Sequence, residues 1–350
     1  MKVYWFLPTA GDGRYLGTSE GERSSSIGYL KQVAIACDEN GFEGILVPTG
    51  RRCEDAWVLA SNLAGETEKL KFLVAMRPGL MSPALSARMA ATLDRISNGR
   101  VLLNVVQGGN PIELAGEGLH LTRDDRYKMA DEFLTVWRNM FTEKSVNFQG
   151  DFLHIEGGGL DHFPVQKPYP PLFLGGASRA AQEVAARNVD VFLTWGEPVD
   201  IVEKRIAEVK QLAKKEGREL QYGLRIHVIV RETEREAWEA AESLIKYVDE
   251  DIIEETRKKF SVFDSKAQTE MTSLSMNHAN SLQIRKGLWA GIGLVREGAG
   301  TALVGDPDQV LSYMKEYQKA GISHFILSGY PHLEEAYRVG ELLLPRLKDS

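Results

Sequence analysis

YGLRIHVIV, residues 222–230, is an apolar run broken by one cation and one imidazole, Arg225 and His227, two positions apart. Near-continuous hydrophobicity marks a strand covered on both faces, as in a parallel sheet flanked by helices. The period of two along a strand puts Arg225 and His227 on the same face. A strand aiming both groups one way between buried neighbours suggests an anion pocket. Three other stretches are expected to converge on it: GRRCEDAW (50–57), LVREGAG (294–300) and SGYPHLEEAY (328–337). The plainer alternative for Arg225 is a buried ion pair, with Glu54 or Asp55 as partner.

Seven further runs of this kind recur: VYWFL (3–7), GILVPT (44–49), LKFLVAMR (70–77), VLLNVVQG (101–108), LFLGG (172–176), DVFLTWG (190–196) and HFILSGY (324–330). Amphipathic segments separate most of them, such as YLKQVAIACDEN (29–40) and SRAAQEVAARN (178–188). Regular β/α alternation allows a doubly wound sheet or a closed barrel, and about eight units predict an α/β fold of the (β/α)8 TIM-barrel type. One domain over residues 1–350 is expected. NFQGDFLHIEGG (147–158) reads as a small hairpin. The largest interruption, 249–305, combines a charged helical run, a polar segment and a Gly-rich segment, the composition of a lid or an interaction element, and a mobile lid is expected.

A chain of 350 residues with 43% hydrophobic content can bury a large core. Its net charge of −7 spreads 42 basic among 49 acidic residues without a basic block, which argues against nucleic acid as a partner. No stretch of 18 apolar residues occurs, so no membrane span is expected. Two cysteines, Cys37 and Cys53, are too few for a disulfide framework; reduced thiols and a cytoplasmic location are the expectation.

In a barrel, functional groups gather where strands end. That rule selects Pro8 to Gly13, Thr49 to Asp55, Gln107 to Asn110, Gly175 to Ser178, Trp195 to Glu197, Arg225 with His227, and Tyr330 with His332. Arg51 and Arg52 beside Cys53 could depress its thiol pKa, against the alternative of a half-buried small hydrophobe. GGAS (175–178) offers backbone N–H groups, a helix dipole and Ser178 to a phosphate, although Gly-Gly before a Ser N-cap also ends ordinary strands. GDG (11–13) and GAG (298–300) fit no dinucleotide fingerprint. The seven histidines lack metal-site spacing; His120, His154, His162 and His278 are expected in loops. A G-x-S-x-G elbow is missing, which argues against a serine hydrolase.

Taken together, WFLPT (5–9), PTGRRCEDAW (48–57), TLDRISNGR (92–100), LTWGEP (193–198), LRIHVIVRET (224–233), LWAGIGLVREGAGTALVGDP (288–307) and SGYPHLEEAYRVGEL (328–342) resemble the alkanesulfonate monooxygenases. These belong to the bacterial luciferase-like flavin-dependent monooxygenases. The resemblance runs from about residue 3 to about 345 and implies a luciferase-like barrel with insertions. It implies reduced FMN (FMNH2) as a diffusible co-substrate, delivered by a separate NAD(P)H-dependent FMN reductase, and O2. The activity implied is cleavage of the C–S bond of an organosulfonate to sulfite and an aldehyde. By resemblance, Cys53 lies near the flavin peroxide, and Tyr127, Ser178, Gly176 and Gln107 hold FMN. Trp195, Arg225, His227, Tyr330 and His332 surround the sulfonate and the reacting oxygen, and Arg296 closes over them from the insertion. A homo-oligomer, a tetramer, is expected on the same basis.

Three positions depart from the family pattern. Ala10 stands where a histidine is usual, Gln107 replaces a small residue, and Asn110 replaces an aspartate. All three lie at strand ends on the expected active face. They fit an altered substrate shape or altered flavin contacts, and they leave two alternatives open: a different organosulfur substrate, or a flavin-binding homologue without desulfonating activity.

Overall fold

The computed structural model describes residues 1–277 and 281–348, which leaves His278 outside the described residues. Eight parallel strands close into a barrel: β1 (Lys2–Phe6), β2 (Gly44–Val47), β3 (Lys71–Met76), β4 (Val101–Val105), β5 (Leu172–Gly175), β6 (Val191–Trp195), β7 (Gln221–Val230) and β8 (His324–Ser328). The eight apolar runs read from the sequence are these eight strands. Neighbours in sequence are neighbours in space all the way round, and β8 closes between β7 and β1.

Alternation along each strand divides the core in two. Tyr4, Leu46, Leu73, Leu102, Phe173, Val191, Leu193 and Ile326 form one buried cluster, the lumen of the barrel. The residues between them, among them Trp5, Phe72, Val228 and Phe325, join a larger cluster with the helices outside. Arg225 and His227 pair in register with Ile326 and Ser328, so their side chains share the lumen face.

Most helices start on a side-chain cap that satisfies otherwise unpaired N–H groups. Asp55 accepts from Trp57 N and Val58 N to open Ala56–Ala64. That occupation argues against it as the partner of Arg225. Asn110 caps Pro111–Gly116 in the same way, so its amide replaces an aspartate without loss of the turn.

The excursion between β4 and β5 contains the expected hairpin, Val146–Gln149 against His154–Gly158. His154 therefore lies in a strand rather than a loop. Between β7 and β8, Glu250–Phe260 is helical as its charge pattern predicts, and the polar segment after it folds as a second helix, Lys266–Asn277. This element was not legible because its apolar side chains are few; it is held by tertiary contacts instead. Arg205 joins Glu270 at 3.0 Å, and Gln268 Oε1 accepts from Gly298 N at 2.8 Å. Asp264 donates its N–H to Gly109 O and receives both Arg126 Nη2 contacts, at 2.9 and 2.8 Å. GAG (298–300) has a packing reason: a Cβ on Gly300 would lie 2.7 Å from Gly293 Cα.

One feature of β7 has no trace in the sequence. Its first half pairs with β6 and its second half, His227 to Val230, pairs with the short strand Ala302–Gly305. His227 sits at this fork. Among the described residues, no helix is long and apolar enough to cross a membrane.

Candidate functional site

At the C-terminal mouth of the barrel two guanidinium groups approach one ring. Arg225 Cζ lies 4.7 Å and Arg296 Cζ 5.7 Å from the centroid of Phe6, and Arg296 also lies 5.3 Å from Tyr330. Arg225 is 9% exposed and donates only to backbone carbonyls, Ile226 O at 3.1 Å and Ile326 O at 3.5 Å. Neither arginine meets a carboxylate among the described residues, so the ion-pair alternative with Glu54 or Asp55 does not hold. Burial, then repulsion from Arg296, pulls the Arg225 pKa down to about 9. A buried cation left unpaired in this way is costly, and an anion placed between the two groups removes that cost.

His227 is fully enclosed, with both nitrogens engaged: Nε2 to Ala299 O at 2.9 Å and Nδ1 to Ser328 Oγ at 2.6 Å. A carbonyl only accepts, so Nε2 carries the proton and Ser328 donates to Nδ1. Burial, reinforced by Arg225 and Arg296, pushes its pKa well down, so the ring is neutral. It stacks on Tyr330 at 5.5 Å and ties β7 and β8 to the insertion.

His332 has the opposite pattern. Its Nδ1 faces Asp12 Oδ1 at 2.9 Å while its buried Nε2 has no partner. Asp12 also accepts from His332 N, Gly13 N and the Tyr29 hydroxyl. Burial alone would raise the Asp12 carboxyl, but attraction to His332 and these donors outweigh it and hold the pKa at about 2. The Tyr330 ring stands edge-on to His332 at 4.8 Å, and its buried hydroxyl meets the Arg296 guanidinium.

Cys53 faces this group from the loop after β2, and here one expectation fails. Arg51 and Arg52 are exposed, and the thiol pKa is raised, chiefly by burial, with Glu113 adding to the rise and Thr9 and Arg296 opposing it. At neutral pH the group is a thiol rather than a thiolate.

A second group lies on the β5 side. Ser178 caps the helix Arg179–Asn188, its Oγ accepting from Ala181 N at 3.2 Å. A Cβ on Gly176 would lie 2.6 Å from Ala181 Cβ and 3.4 Å from the Tyr127 hydroxyl, so glycine keeps this cradle open. Burial raises the Tyr127 pKa, with Ser178 and then Arg123 pulling the other way. Gln107, beyond β4, is 8% exposed and neither atom of its amide has a partner. Trp195 ends β6 in register with Arg225.

The structure thus gathers Arg225, Arg296, His227, Tyr330 and His332 around Phe6, with Cys53 close by. Tyr127, Ser178 and Gly176 form a separate cradle; Gln107 follows β4 and Trp195 ends β6, the strands on either side of it. Sequence reasoning gave no role to Tyr29 or Phe6, and it included Asp12 and Ser328 only as members of the stretches Pro8 to Gly13 and 328–337. The available signal for Asp12 was GDG (11–13) in the loop that follows β1, an acidic residue on the active face.

A family model described as luciferase-like monooxygenase matches residues 1–324. The chain belongs to the luciferase-like monooxygenase family. Solved structures with the same fold include a riboflavin lyase with modified FMN and riboflavin, 18% identical, TM-score 0.80, covering 100% of this chain and 91% of that one. A long-chain alkane monooxygenase is 21% identical, TM-score 0.80, with coverage of 100% and 91%. The coenzyme F420-dependent tetrahydromethanopterin reductase of Methanopyrus kandleri is 18% identical, TM-score 0.70, with coverage of 99% and 98%. At these identities the likeness concerns the fold.

Proposed function

We propose that this family member is an FMNH2-dependent monooxygenase that cleaves the C–S bond of a small organosulfonate, giving sulfite and an aldehyde. The observation supporting it is the pair Arg225 and Arg296, two guanidinium groups over one ring without a carboxylate among the described residues. A sulfonate spreads one negative charge over three oxygens, which planar donors match. Phe6 and Tyr330 supply the apolar floor and wall that keep water from the same space.

The β5 cradle suits the phosphate of FMN: Tyr127, Ser178 and backbone N–H groups at a helix N-terminus, with Gly176 leaving room. Gln107 offers an unpartnered donor and acceptor to the polar edge of the ring system. When bound, reduced flavin supplies the two electrons that, with two from the substrate, reduce O2. A neutral Cys53 is suited to hydrogen bonding rather than nucleophilic attack.

In this reading residues 1–350 form one domain, 249–305 is the lid, and its Arg296 couples closure to capture of the anion. A separate NAD(P)H-dependent FMN reductase provides the reduced flavin, and the chain works as a homo-oligomer. The test supplies reduced FMN, O2 and a panel of sulfonates and measures sulfite. Sulfite from at least one substrate is expected; none from any, with reduced FMN bound, overturns the proposal.

A further inference from the structure

Converting a sulfonate carbon, CH2, to an aldehyde carbon, CHO, removes one hydrogen from it, so the mouth requires a proton acceptor. His227 is unsuited: one nitrogen donates to Ala299 O and the other accepts from Ser328. Arg225 and Arg296 are cations. The neutral Cys53 thiol is a poor base. What remains is a buried nitrogen without a partner, His332 Nε2.

We propose that Asp12 is a positioning residue that locks His332 in the tautomer presenting Nε2 as the proton acceptor of the reaction. Since a carboxylate only accepts, the Asp12 contact puts the proton of the neutral ring on Nδ1 and the lone pair on Nε2. Asp12 is itself fixed by three further donors: Gly13 N, His332 N and the Tyr29 hydroxyl, which also accepts from Leu333 N. Turning the ring would give up the Nδ1 contact, while Asp12 stays fixed by its other donors at the start of the helix His332–Leu342.

The groups facing this ring come from six segments: Trp5 and Phe6 on β1, Asp12 beyond it, Tyr29 behind Asp12, Arg225 and His227 on β7, Arg296 from the insertion, and Tyr330 after β8. Burial first, with Arg296 and Arg225 adding to it, keeps the imidazole neutral before the reaction, and Asp12 balances the imidazolium that forms after it.

The inference rests on the sulfonate reading. The C–H proton goes to Nε2. The C–H electron pair and the two electrons of reduced flavin are the four that take the two oxygen atoms of O2 to carbonyl and water. The C–S pair leaves with sulfite, and Nε2 later returns its proton to solvent.

The test begins with long-range proton–nitrogen NMR of the full chain near pH 7.5. His332 is expected to carry its proton on Nδ1, and a proton on Nε2 overturns the proposal. His332→Gln is expected to lower kcat about 10²–10⁴-fold with KM within a few-fold; an unchanged kcat overturns it. Asp12→Asn should lower kcat and abolish the Nδ1–H signal. Because that variant also loosens a helix start, Tyr29→Phe serves as the second. It removes one donor from Asp12, which makes the carboxylate a stronger partner and moves the acid limb of the pH profile upward. An acid limb that stays in place overturns the proposal. Failure of the sulfonate reading is seen separately, as no sulfite from wild type, and the NMR measurement then still decides which nitrogen is presented.

Discussion

Arg225 and Arg296 come from β7 and from the insertion, yet both lie over Phe6, 4.7 and 5.7 Å from its centroid. Like charges so close are tolerated only at a cost to stability, recovered when an anion enters. Replacing one of them with an apolar residue should therefore stabilise the free protein and disable it. Arg225→Met is expected to raise the thermal midpoint by roughly 2 °C or more. The same variant should lose about 10–150-fold in kcat/KM, the worth of one charged hydrogen-bonding group. A lower midpoint in thermal unfolding would show that Arg225 supports the fold rather than a ligand.

Affinity for an anion should depend on pH in a defined direction. Burial, then Arg296, depresses the Arg225 pKa to about 9. Below that value the group is charged and binding is constant; as pH rises through it, affinity falls. The stability sign is opposite. Above about pH 9 the unfolded chain holds a proton that the folded chain has released, so the gain from Arg225→Met narrows as pH rises. Calorimetric titration with methanesulfonate between pH 7 and 10, on wild type and variant, checks both directions.

Cys53 should alkylate slowly. Its pKa is raised, first by burial, so its thiolate fraction at pH 7 lies below that of a free cysteine. Iodoacetamide followed by mass spectrometry should label it more slowly than cysteine in an unfolded peptide, with the rate climbing at higher pH. Faster labelling would point to a cation effect not seen in the geometry.

Ser178→Ala separates two uses of one hydroxyl. Loss of the N-cap should cost about 0.5–2 kcal/mol of stability. If the hydroxyl also contacts phosphate, FMN affinity should fall by roughly tenfold while riboflavin affinity is unchanged. Equal losses for the two ligands would confine Ser178 to capping.

Much of the barrel was legible because strand burial writes itself into local composition. Runs covered on both faces are apolar throughout, and all eight strands were found that way. Arg225 and His227 stood out for the same reason, as polar residues in a run that otherwise excludes them. Asp12 did not, because an aspartate between two glycines is common in turns, and its partners Tyr29 and His332 are distant in sequence. The helix Lys266–Asn277 was hidden by its polar side chains, which find partners only in other segments.

The sequence by itself determined the strand count, the shared face of Arg225 and His227, and the set of strand ends from which a site could be built. Only the tertiary structure decided what those groups are. It removed the carboxylate partner from Arg225, engaged both nitrogens of His227, left Nε2 of His332 unpartnered and raised the Cys53 thiol. Each outcome depends on which distant groups meet in a space that excludes water, and local sequence carries little information about such meetings.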